Sequence, residues 1–330
     1  MLPELPAMRR INLVVILYSI YTLFLFMGCH AITKGSESDE KDRDLRIEKY
    51  FNQGNAWYMK DDFDNAIAEY DKVLKLKSRH ADAYNNRGNA WARKGDFDRA
   101  IKDFTKALEI NPRFGLAYYN RADAWYNKSN FELAIKDCSQ ALEINPLHAE
   151  AYNNRGLSWR NKNNFTKAID DYNKALEIKP RYAEALNNRG VAWFLKGKFD
   201  NAIADYNKAL EINSGYAKAY HNRGLAWSMK NDFDRAIADF SEALKINPRY
   251  AAAFINRGNA WKNNGNFARA IVDYTMTIEI NPLAVKAYTN RGVCYSLLDQ
   301  SELACLDFQK ACDLKRCDEL KRAQEQKLCQ

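Results

Sequence analysis

The chain has 330 residues and a formal net charge of +8. Its basic residues are spread along the chain and mostly matched by acidic ones, which does not favour nucleic acid as a partner. The four histidines are isolated, and no nucleophile–base pair, phosphate-binding loop or metal-ligand spacing occurs. We therefore expect no enzymatic activity, no cofactor, no metal and no small-molecule substrate.

Residues 1–29 predict an export signal or membrane anchor. A basic pair of arginines precedes 17 uncharged residues, 11–27, in the order typical of a signal peptide. The following Gly28-Cys29 resembles the end of a bacterial lipobox, in which the cysteine is lipidated. Three interpretations stay open: a lipid anchor on Cys29, an uncleaved signal anchor, and cleavage near Ala31. All three predict export, to the periplasmic or cell-envelope side of a bacterium, and the first two predict a membrane anchor.

Residues 30–46 include the sequence KGSESDEKDRD and are poor in apolar side chains. A segment of this composition buries too little apolar surface to offset the loss of chain entropy on folding. We therefore expect a disordered polar tether that separates the export segment from the rest of the chain.

All seven tryptophans are spaced 34 residues apart, from Trp57 to Trp261, and the next step of 34 reaches Tyr295. A fixed period of this kind is typical of stacked supersecondary units. The tryptophans divide the following part of the chain into eight units without gaps: 47–80, 81–114, 115–148, 149–182, 183–216, 217–250, 251–284 and 285–318.

Each unit has the pattern of a helical hairpin. Recurrent aromatic, small and tryptophan residues at positions 4, 8 and 11 share one face of a first helix, with the tryptophans expected inside the hairpin. Alanine at position 20 and, in most units, at position 27 shares a face of a second helix. Proline at position 32 ends that helix in five units: Pro112, Pro146, Pro180, Pro248 and Pro282.

This pattern resembles the tetratricopeptide repeat (TPR) family over all eight units. The resemblance implies an all-α fold, a right-handed superhelical solenoid of eight TPR helical hairpins. Unit 8 departs from the pattern, with Ser301 in place of the usual phenylalanine and Arg316 in place of proline. The polar residues 319–330 resemble the capping helix that ends such arrays, which is needed because each hairpin buries its apolar face only against its neighbours.

An arginine at position 7 and an acid at position 23 recur along the array, as in Arg155 and Asp171. A charge at a helix interface is tolerated when it is paired and hydrogen-bonded. We predict an Arg–Asp pair between packed helices, with the partner either in the same unit or in the adjacent one.

Five of the seven cysteines lie in the last 37 residues: Cys294, Cys305, Cys312, Cys317 and Cys329. Their spacing matches no zinc site and is too irregular for a disulfide framework. We favour cysteines that fill small apolar spaces, as Cys138 does at an otherwise aromatic position. In the alternative, some of them pair outside the cytosol and fasten the C-terminal cap.

In TPR proteins the first helices line an inner groove, to which positions 2, 5, 6, 9, 12 and 13 are exposed. Position 6 is asparagine in all eight units: Asn52, Asn86, Asn120, Asn154, Asn188, Asn222, Asn256 and Asn290. An amide both donates and accepts, so it can pair with the main chain of an extended peptide. The arrangement is similar to that in the TPR region of O-GlcNAc transferases, where position-6 asparagines hold the main chain of the substrate. In the alternative, the asparagine bonds locally between neighbouring hairpins.

The variable groove positions are expected to set specificity. Tyr119, Tyr126 and Phe194 offer aromatic contacts, and the groove changes from partly acidic to basic along the array. The sequence thus predicts a non-enzymatic scaffold that binds an extended polypeptide and is tethered at the outer face of a bacterial membrane. The alternatives are an assembly or transporter-associated subunit of an envelope complex and, less favoured, a subunit of an enzyme complex.

Overall fold

The computed structural model describes residues 39–326, 328 and 329. The predicted export segment, Cys29 and residues 30–38 lie outside these described residues. The described residues form α-helices joined by short turns and contain no strand. The helices are α1 (39–59), α2 (Phe63–Leu76), α3 (Ala81–Arg93), α4 (Phe97–Ile110), α5 (Gly115–Asn127), α6 (Phe131–Ile144), α7 (Ala149–Asn161), α8 (Phe165–Ile178), α9 (Ala183–Leu195), α10 (Phe199–Ile212), α11 (Ala217–Met229), α12 (Phe233–Ile246), α13 (Ala251–Asn263), α14 (Phe267–Ile280), α15 (Val285–Leu297), α16 (Ser301–Asp313) and α17 (Asp318–Glu325).

These helices belong to two compact bodies, an N-terminal one that ends at Lys128 and a C-terminal one that starts at Ser129. In the N-terminal body, α2 to α5 pack consecutively and α3 also touches α5. In the C-terminal body, α6 to α17 pack consecutively, and the odd-numbered helices α7 to α15 each touch the next odd-numbered one. The predicted all-α array of consecutively packed hairpins is therefore confirmed. Among the described residues, no helix has the length and apolar character needed to span a membrane.

The turn chemistry explains why the helices begin and end where they do. The turn inside each hairpin contains a residue in the left-handed region, such as Gly95 with φ of 81°. In six of the eight hairpins the next residue caps the second helix, as where the Asp96 side chain accepts from the backbone N–H of Arg99 at 3.0 Å. At the other end, Asn111 is extended, with φ of −128°, because the residue before a proline is disfavoured in the helical region. The predicted role of the position-32 prolines agrees with this geometry.

The small residues at position 8 allow the two helices of a hairpin to approach closely. A Cβ atom built on Gly190 would lie 2.6 Å from Cε1 of Tyr206, a side chain that is 1% exposed. Ala202 and Ala209, at positions 20 and 27, are fully buried on the opposing helix. Ring, glycine and alanine therefore form one interlocked layer inside the hairpin, and the loss of helix propensity at glycine is offset by this packing.

The tryptophans are less buried than the sequence pattern indicates. All seven are half-buried and pack at the edge of the core clusters, as Trp193 does beside Tyr206 and Ala226. In four units a cation from the second helix covers the outer face of the ring, as with Arg99 at 4.4 Å from the Trp91 centroid. The expectation of a fully interior tryptophan is thus corrected, since each ring packs at the edge of the core and, in these four units, lies under a cation.

The predicted arginine–aspartate pairs are present, and they lie within a single unit. Arg155 donates from Nε and Nη2 to the two carboxylate oxygens of Asp171, at 2.9 and 2.7 Å. Its Nη1 donates to Ser139 Oγ of the preceding unit at 3.0 Å. The same three-helix bridge, with a side chain of the preceding unit as third partner, recurs at Arg87, Arg189, Arg223, Arg257 and Arg291. Each guanidinium therefore joins its own hairpin to the preceding one.

Burial and pairing shift the pKa values of Arg155 and Asp171 in opposite directions. Burial alone would lower the pKa of Arg155, but hydrogen bonds and the charge of Asp171 raise it overall. Burial raises the pKa of the Asp171 carboxyl, and Arg155 offsets only part of that rise. The charged form of Asp171 is therefore disfavoured by burial and stabilised in part by Arg155.

The favoured interpretation, in which the C-terminal cysteines fill small apolar spaces, is wrong for four of them. Cys305 is bonded to Cys329 and Cys312 to Cys317, so these four residues form disulfides and do not merely fill space. The first disulfide holds the segment after α17 against α16, where Ala323 and Cys329 pack on Phe308. The alternative, in which cysteines fasten the cap, therefore describes the structure. Cys138 and Cys294 are buried thiols outside both disulfides, as the space-filling interpretation predicts.

The start of the array differs from the prediction of a disordered tether. Residues 39–46 are helical and continue into the first helix of unit 1, although all eight are exposed. Ile47 is 7% exposed and packs with Tyr50, Phe51 and Val73, so the helix is anchored from its C-terminal side. Extending an anchored helix adds one hydrogen bond for each residue fixed, which explains how a polar segment can be helical.

Candidate peptide-binding groove

The groove face consists of positions 2, 5, 6, 9, 12 and 13 of the first helices. At 100° per residue these positions cover one side of a helix. Within each body the first helices of neighbouring units touch, so their groove faces are adjacent. Most position-6 asparagines on this face are half-buried, but Asn52 is exposed and Asn188 is only 7% exposed.

Six of the eight position-6 asparagines bond to the preceding unit. We call these bonds the amide ladder. In the typical case Nδ2 of Asn222 donates to Oδ1 of Asn187, at position 5 of the preceding unit, over 2.9 Å. Asn120 and Asn188 do the same with Asn85 and Asn153, at 2.9 and 3.0 Å. The acceptor residues Asn85, Asn153 and Asn187 are each no more than 5% exposed, so the bond is shielded from water.

The acceptor changes position where position 5 carries no amide. Unit 1 has Phe51 there, and Asn55 at position 9 accepts from Asn86 at 3.0 Å instead. Unit 7 has Ile255, and Asn259 accepts from Asn290 at 2.9 Å. In unit 6 the acceptor is an imidazole nitrogen, Nε2 of His221, which lies 2.9 Å from the amide nitrogen of Asn256.

Sequence reasoning missed these acceptors, although a signal for them was present. Each of units 1, 2 and 4 to 7 carries an amide or imidazole at position 5 or 9, whereas unit 3, with Tyr119 and Asp123, and unit 8, with Thr289 and Val293, carry neither. Unit 8 is followed by α17, which has no position-6 asparagine to satisfy. The local-bonding interpretation of the asparagines therefore describes the structure, and their pairing with a peptide stays a prediction.

The local bond leaves part of each amide available. An asparagine side chain has two N–H donors and an oxygen with two lone pairs, and one donor is used in the ladder. Asn86 and Asn154 also accept, from Asn85 at 3.1 Å and from Asn153 at 3.5 Å. The ladder thus fixes the orientation of the amide and leaves at least one N–H for another acceptor.

The aromatic side chains that were predicted to contact a peptide are partly buried within the protein itself. Tyr119, Tyr126 and Phe194 are half-buried, and the Phe194 ring packs on Phe199 with centroids 5.4 Å apart. The most accessible apolar side chains of the groove face are instead at position 13. Met59 is 82% exposed, Leu195 50% and Met229 57%.

A cavity of about 250 Å³ opens on the groove face between units 1 and 2. It is lined by Asn55, Tyr58, Met59, Tyr70, Asn86 and Asn89. Burial raises the pKa of Tyr70 to about 12. Its hydroxyl therefore stays protonated and donates to Oδ1 of Asn55 at 2.7 Å.

The charged groove residues differ in how far they are already paired. Glu150 lies 3.0 Å from Lys179, so it is partly neutralised by the chain itself. Lys218 and Lys286 are exposed and have no ion pair with any residue that the structure describes. No group of three or more His, Cys, Asp or Glu side chains among the described residues is arranged to hold a metal ion.

Family comparisons agree with the unit boundaries. The model described as "Tetratricopeptide repeat" matches five segments: 81–114, 115–147, 149–182, 183–216 and 217–250. A "TPR repeat" model matches residues 54–95, and a second tetratricopeptide repeat model matches residues 285–316. A comparison with curated proteins found no match.

Solved structures of repeat proteins resemble the chain. A tetratricopeptide repeat protein from Parabacteroides merdae is 22% identical over 73% of this chain and 95% of its own, with a TM-score of 0.56. Pseudomonas aeruginosa pilF is 18% identical over 64% of this chain and 97% of its own, also with a TM-score of 0.56. MamA is 31% identical over 50% of this chain and 96% of its own, with a TM-score of 0.46. At these identities the first two likenesses show the fold alone.

The hairpin geometry and the family matches lead to the same assignment. The buried position-20 alanine recurs in all five segments that the first family model matches, and the glycine–ring contact and the position-32 proline each recur in four of them. Repeats of this kind support a protein–protein interaction scaffold. The chain belongs to the tetratricopeptide repeat family.

Proposed function

We propose that this chain is a non-enzymatic scaffold that binds an extended polypeptide along the groove face. The observation that carries the proposal is the combination, within each body, of exposed apolar side chains on the groove face with the amide ladder. Met59, Leu195 and Met229 are each at least 50% exposed. Complete burial of such a side chain contributes about 1.5–3 kcal/mol of favourable free energy, so a partner that covers these side chains gains affinity.

The ladder gives the groove its proposed selectivity for a main chain. An extended peptide presents N–H and C=O groups at regular spacing whatever its side chains are. An amide that is already held by a neighbouring unit loses little conformational entropy when it bonds a peptide. The local role of the asparagines therefore supports their proposed role in binding and does not compete with it.

Site-specific crosslinking tests the groove. A photoreactive amino acid replaces Leu195 on the groove face or, as a matched control, the exposed Lys208 on α10. After illumination in native cells, we expect adducts with polypeptides from position 195 and far fewer from position 208. Equal adducts at both positions, or adducts from position 208 alone, would refute binding at the groove face.

We also propose that the chain is exported and held at the outer face of a membrane through residues 1–29. The order of basic pair, apolar run and Gly28-Cys29 supports this location. The two disulfides support it as well, because disulfides persist mainly outside the cytosol.

Metabolic labelling with a clickable fatty acid tests the lipid anchor. We expect the chain to be labelled and the Cys29→Ala variant to be unlabelled, whereas the Cys138→Ala control stays labelled. Label that persists in Cys29→Ala would show that the lipid is elsewhere. An unlabelled native chain that remains in the membrane fraction would instead favour the signal anchor.

A further inference from the structure

We propose that the cavity between units 1 and 2 is a subsite for one large apolar side chain of the bound polypeptide, and that Asn89 pairs with the main chain beside that side chain. This inference rests on the proposed function and names the residue class that the groove selects near its N-terminal end. Leucine, methionine and phenylalanine form that class.

The size of the cavity fits a large side chain. Its volume is about 250 Å³. For comparison, an apolar cavity of about 150 Å³ is large enough to hold benzene. A phenylalanine or leucine side chain therefore fits between α1 and α3, with space left for its main chain at the opening.

The chemistry of the lining favours a neutral, apolar occupant. Met59 and the rings of Tyr58 and Tyr70 supply the apolar surface, and none of the six lining residues is an acid, a lysine or an arginine. A charged side chain placed there would lose hydration without gaining a partner of opposite charge, which is costly. Met59 is 82% exposed without an occupant, so it gains most from being covered.

The amides around the cavity differ in what they already bond. Asn55 accepts from both Tyr70 and Asn86, at 2.7 and 3.0 Å. Asn86 donates to Asn55 and accepts from Asn85. The side chains of Asn55 and Asn86 are therefore already hydrogen-bonded within the protein in the absence of a peptide.

Asn89 has no such role. Unit 2 carries an amide at both position 5 and position 9, and Asn120 of the next unit uses Asn85 as its acceptor. The half-buried Asn89 is left lining the cavity, and its side chain makes no hydrogen bond with any residue that the structure describes. Its N–H and C=O groups match the two polar groups of one peptide unit.

The test uses the full chain and a phage-displayed library of random linear peptides. A selected peptide is labelled, and its affinity for wild type, Asn89→Ala and Met59→Asp is measured by fluorescence polarisation. Asn201→Ala, on the exposed face of α10, is the matched control. Circular dichroism shows whether each variant keeps its helical content.

We expect the selected peptides to share one large apolar residue. Asn89→Ala should weaken binding about fivefold to tenfold, the usual effect of losing one or two neutral hydrogen bonds. Met59→Asp should weaken it more than tenfold, and Asn201→Ala should leave it unchanged. Replacing the shared apolar residue of the peptide by alanine should weaken binding to wild type and have little further effect on Met59→Asp.

Two outcomes overturn the subsite, and they differ in what they leave standing. Peptides that bind wild type but lack a shared apolar residue, or that bind all the variants equally well, remove the subsite and leave the scaffold function intact. A chain that captures no peptide at all, from the library or by crosslinking at position 195, removes both.

Discussion

Replacing Arg155 by methionine should destabilise the C-terminal body at neutral pH. The Asp171 side chain is 7% exposed and would lose two hydrogen bonds and its counter-ion, while Ser139 would lose one donor. Removing one member of a buried ion pair costs about 3–5 kcal/mol. Because the Arg155 side chain is itself 22% exposed, we expect a cost near the lower limit, about 3 kcal/mol.

The cost should depend on pH in a defined direction. Burial already raises the pKa of Asp171, and removing Arg155 takes away the interaction that opposes this rise. A carboxyl group whose pKa is raised on folding is tolerated best when it is protonated, so its unfavourable effect is absent at low pH and grows as the pH rises. The difference between variant and wild type should therefore be largest at neutral pH and shrink towards about pH 4.

Urea denaturation followed by circular dichroism measures this effect. Hydrogen exchange of α7 and α8 should accompany it, because repeat arrays do not always unfold in a single step. The double variant Arg155→Met/Asp171→Leu is the control, since it removes both charges and should recover much of the lost stability. A single variant within about 1 kcal/mol of wild type, or a double variant as unstable as the single one, would refute the account of the buried pair.

Three further predictions concern the ladder and the cap. Asn222→Ala should lower the free energy of unfolding by about 1–2 kcal/mol in denaturant titrations, because the buried Asn187 loses its donor. Burial lowers the pKa of His221, so thermal stability should fall as the pH drops from about 6.5 through the lowered pKa, and His221→Asn should weaken that dependence. Reducing the disulfide between Cys305 and Cys329, which closes a loop of 24 residues, should destabilise the cap by about 3 kcal/mol and speed hydrogen exchange in α17.

Each of these expectations has a clear contrary result. A wild-type denaturation midpoint for Asn222→Ala would show that the ladder bond contributes no net stability. A melting temperature that is unchanged between pH 7.5 and pH 5, or that falls equally in His221→Asn, would exclude the buried imidazole as the cause. Exchange in α17 that is insensitive to reductant would show that the cap is held by packing alone.

The helical hairpins were predictable because their signals are local and repeated. The period of 34 residues, the glycine at position 8 and the proline at position 32 each act within one unit, and the structure places the helices accordingly. The Arg–Asp pairs were predictable as pairs, but the choice of partner was not. For Arg155, the side chains of Asp171 in the same unit and Ser139 in the preceding unit both lie 16 residues away in sequence. Only the packing of the helices determines which of them forms the ion pair.

The positions of the groove asparagines could be read from the sequence, but the hydrogen bonds that they form could not. The asparagines at position 6 were evident, yet the partner of each of the six that bond across units is in another unit and lies at position 5 or position 9. The disulfides were missed for a similar reason. Cys305 and Cys329 are 24 residues apart, and only the return of the chain after α17 brings them together.

The amide ladder runs in one direction. In its five asparagine–asparagine bonds the position-6 amide donates back to the unit before it, so a unit with an acceptor at position 5 or 9 can bond the position-6 amide of any following unit. A duplicated or deleted block of 34 residues would therefore preserve the bonds at both new junctions, provided that its last unit carries an acceptor. The length of the array can then change by whole units during evolution without redesign of these bonds.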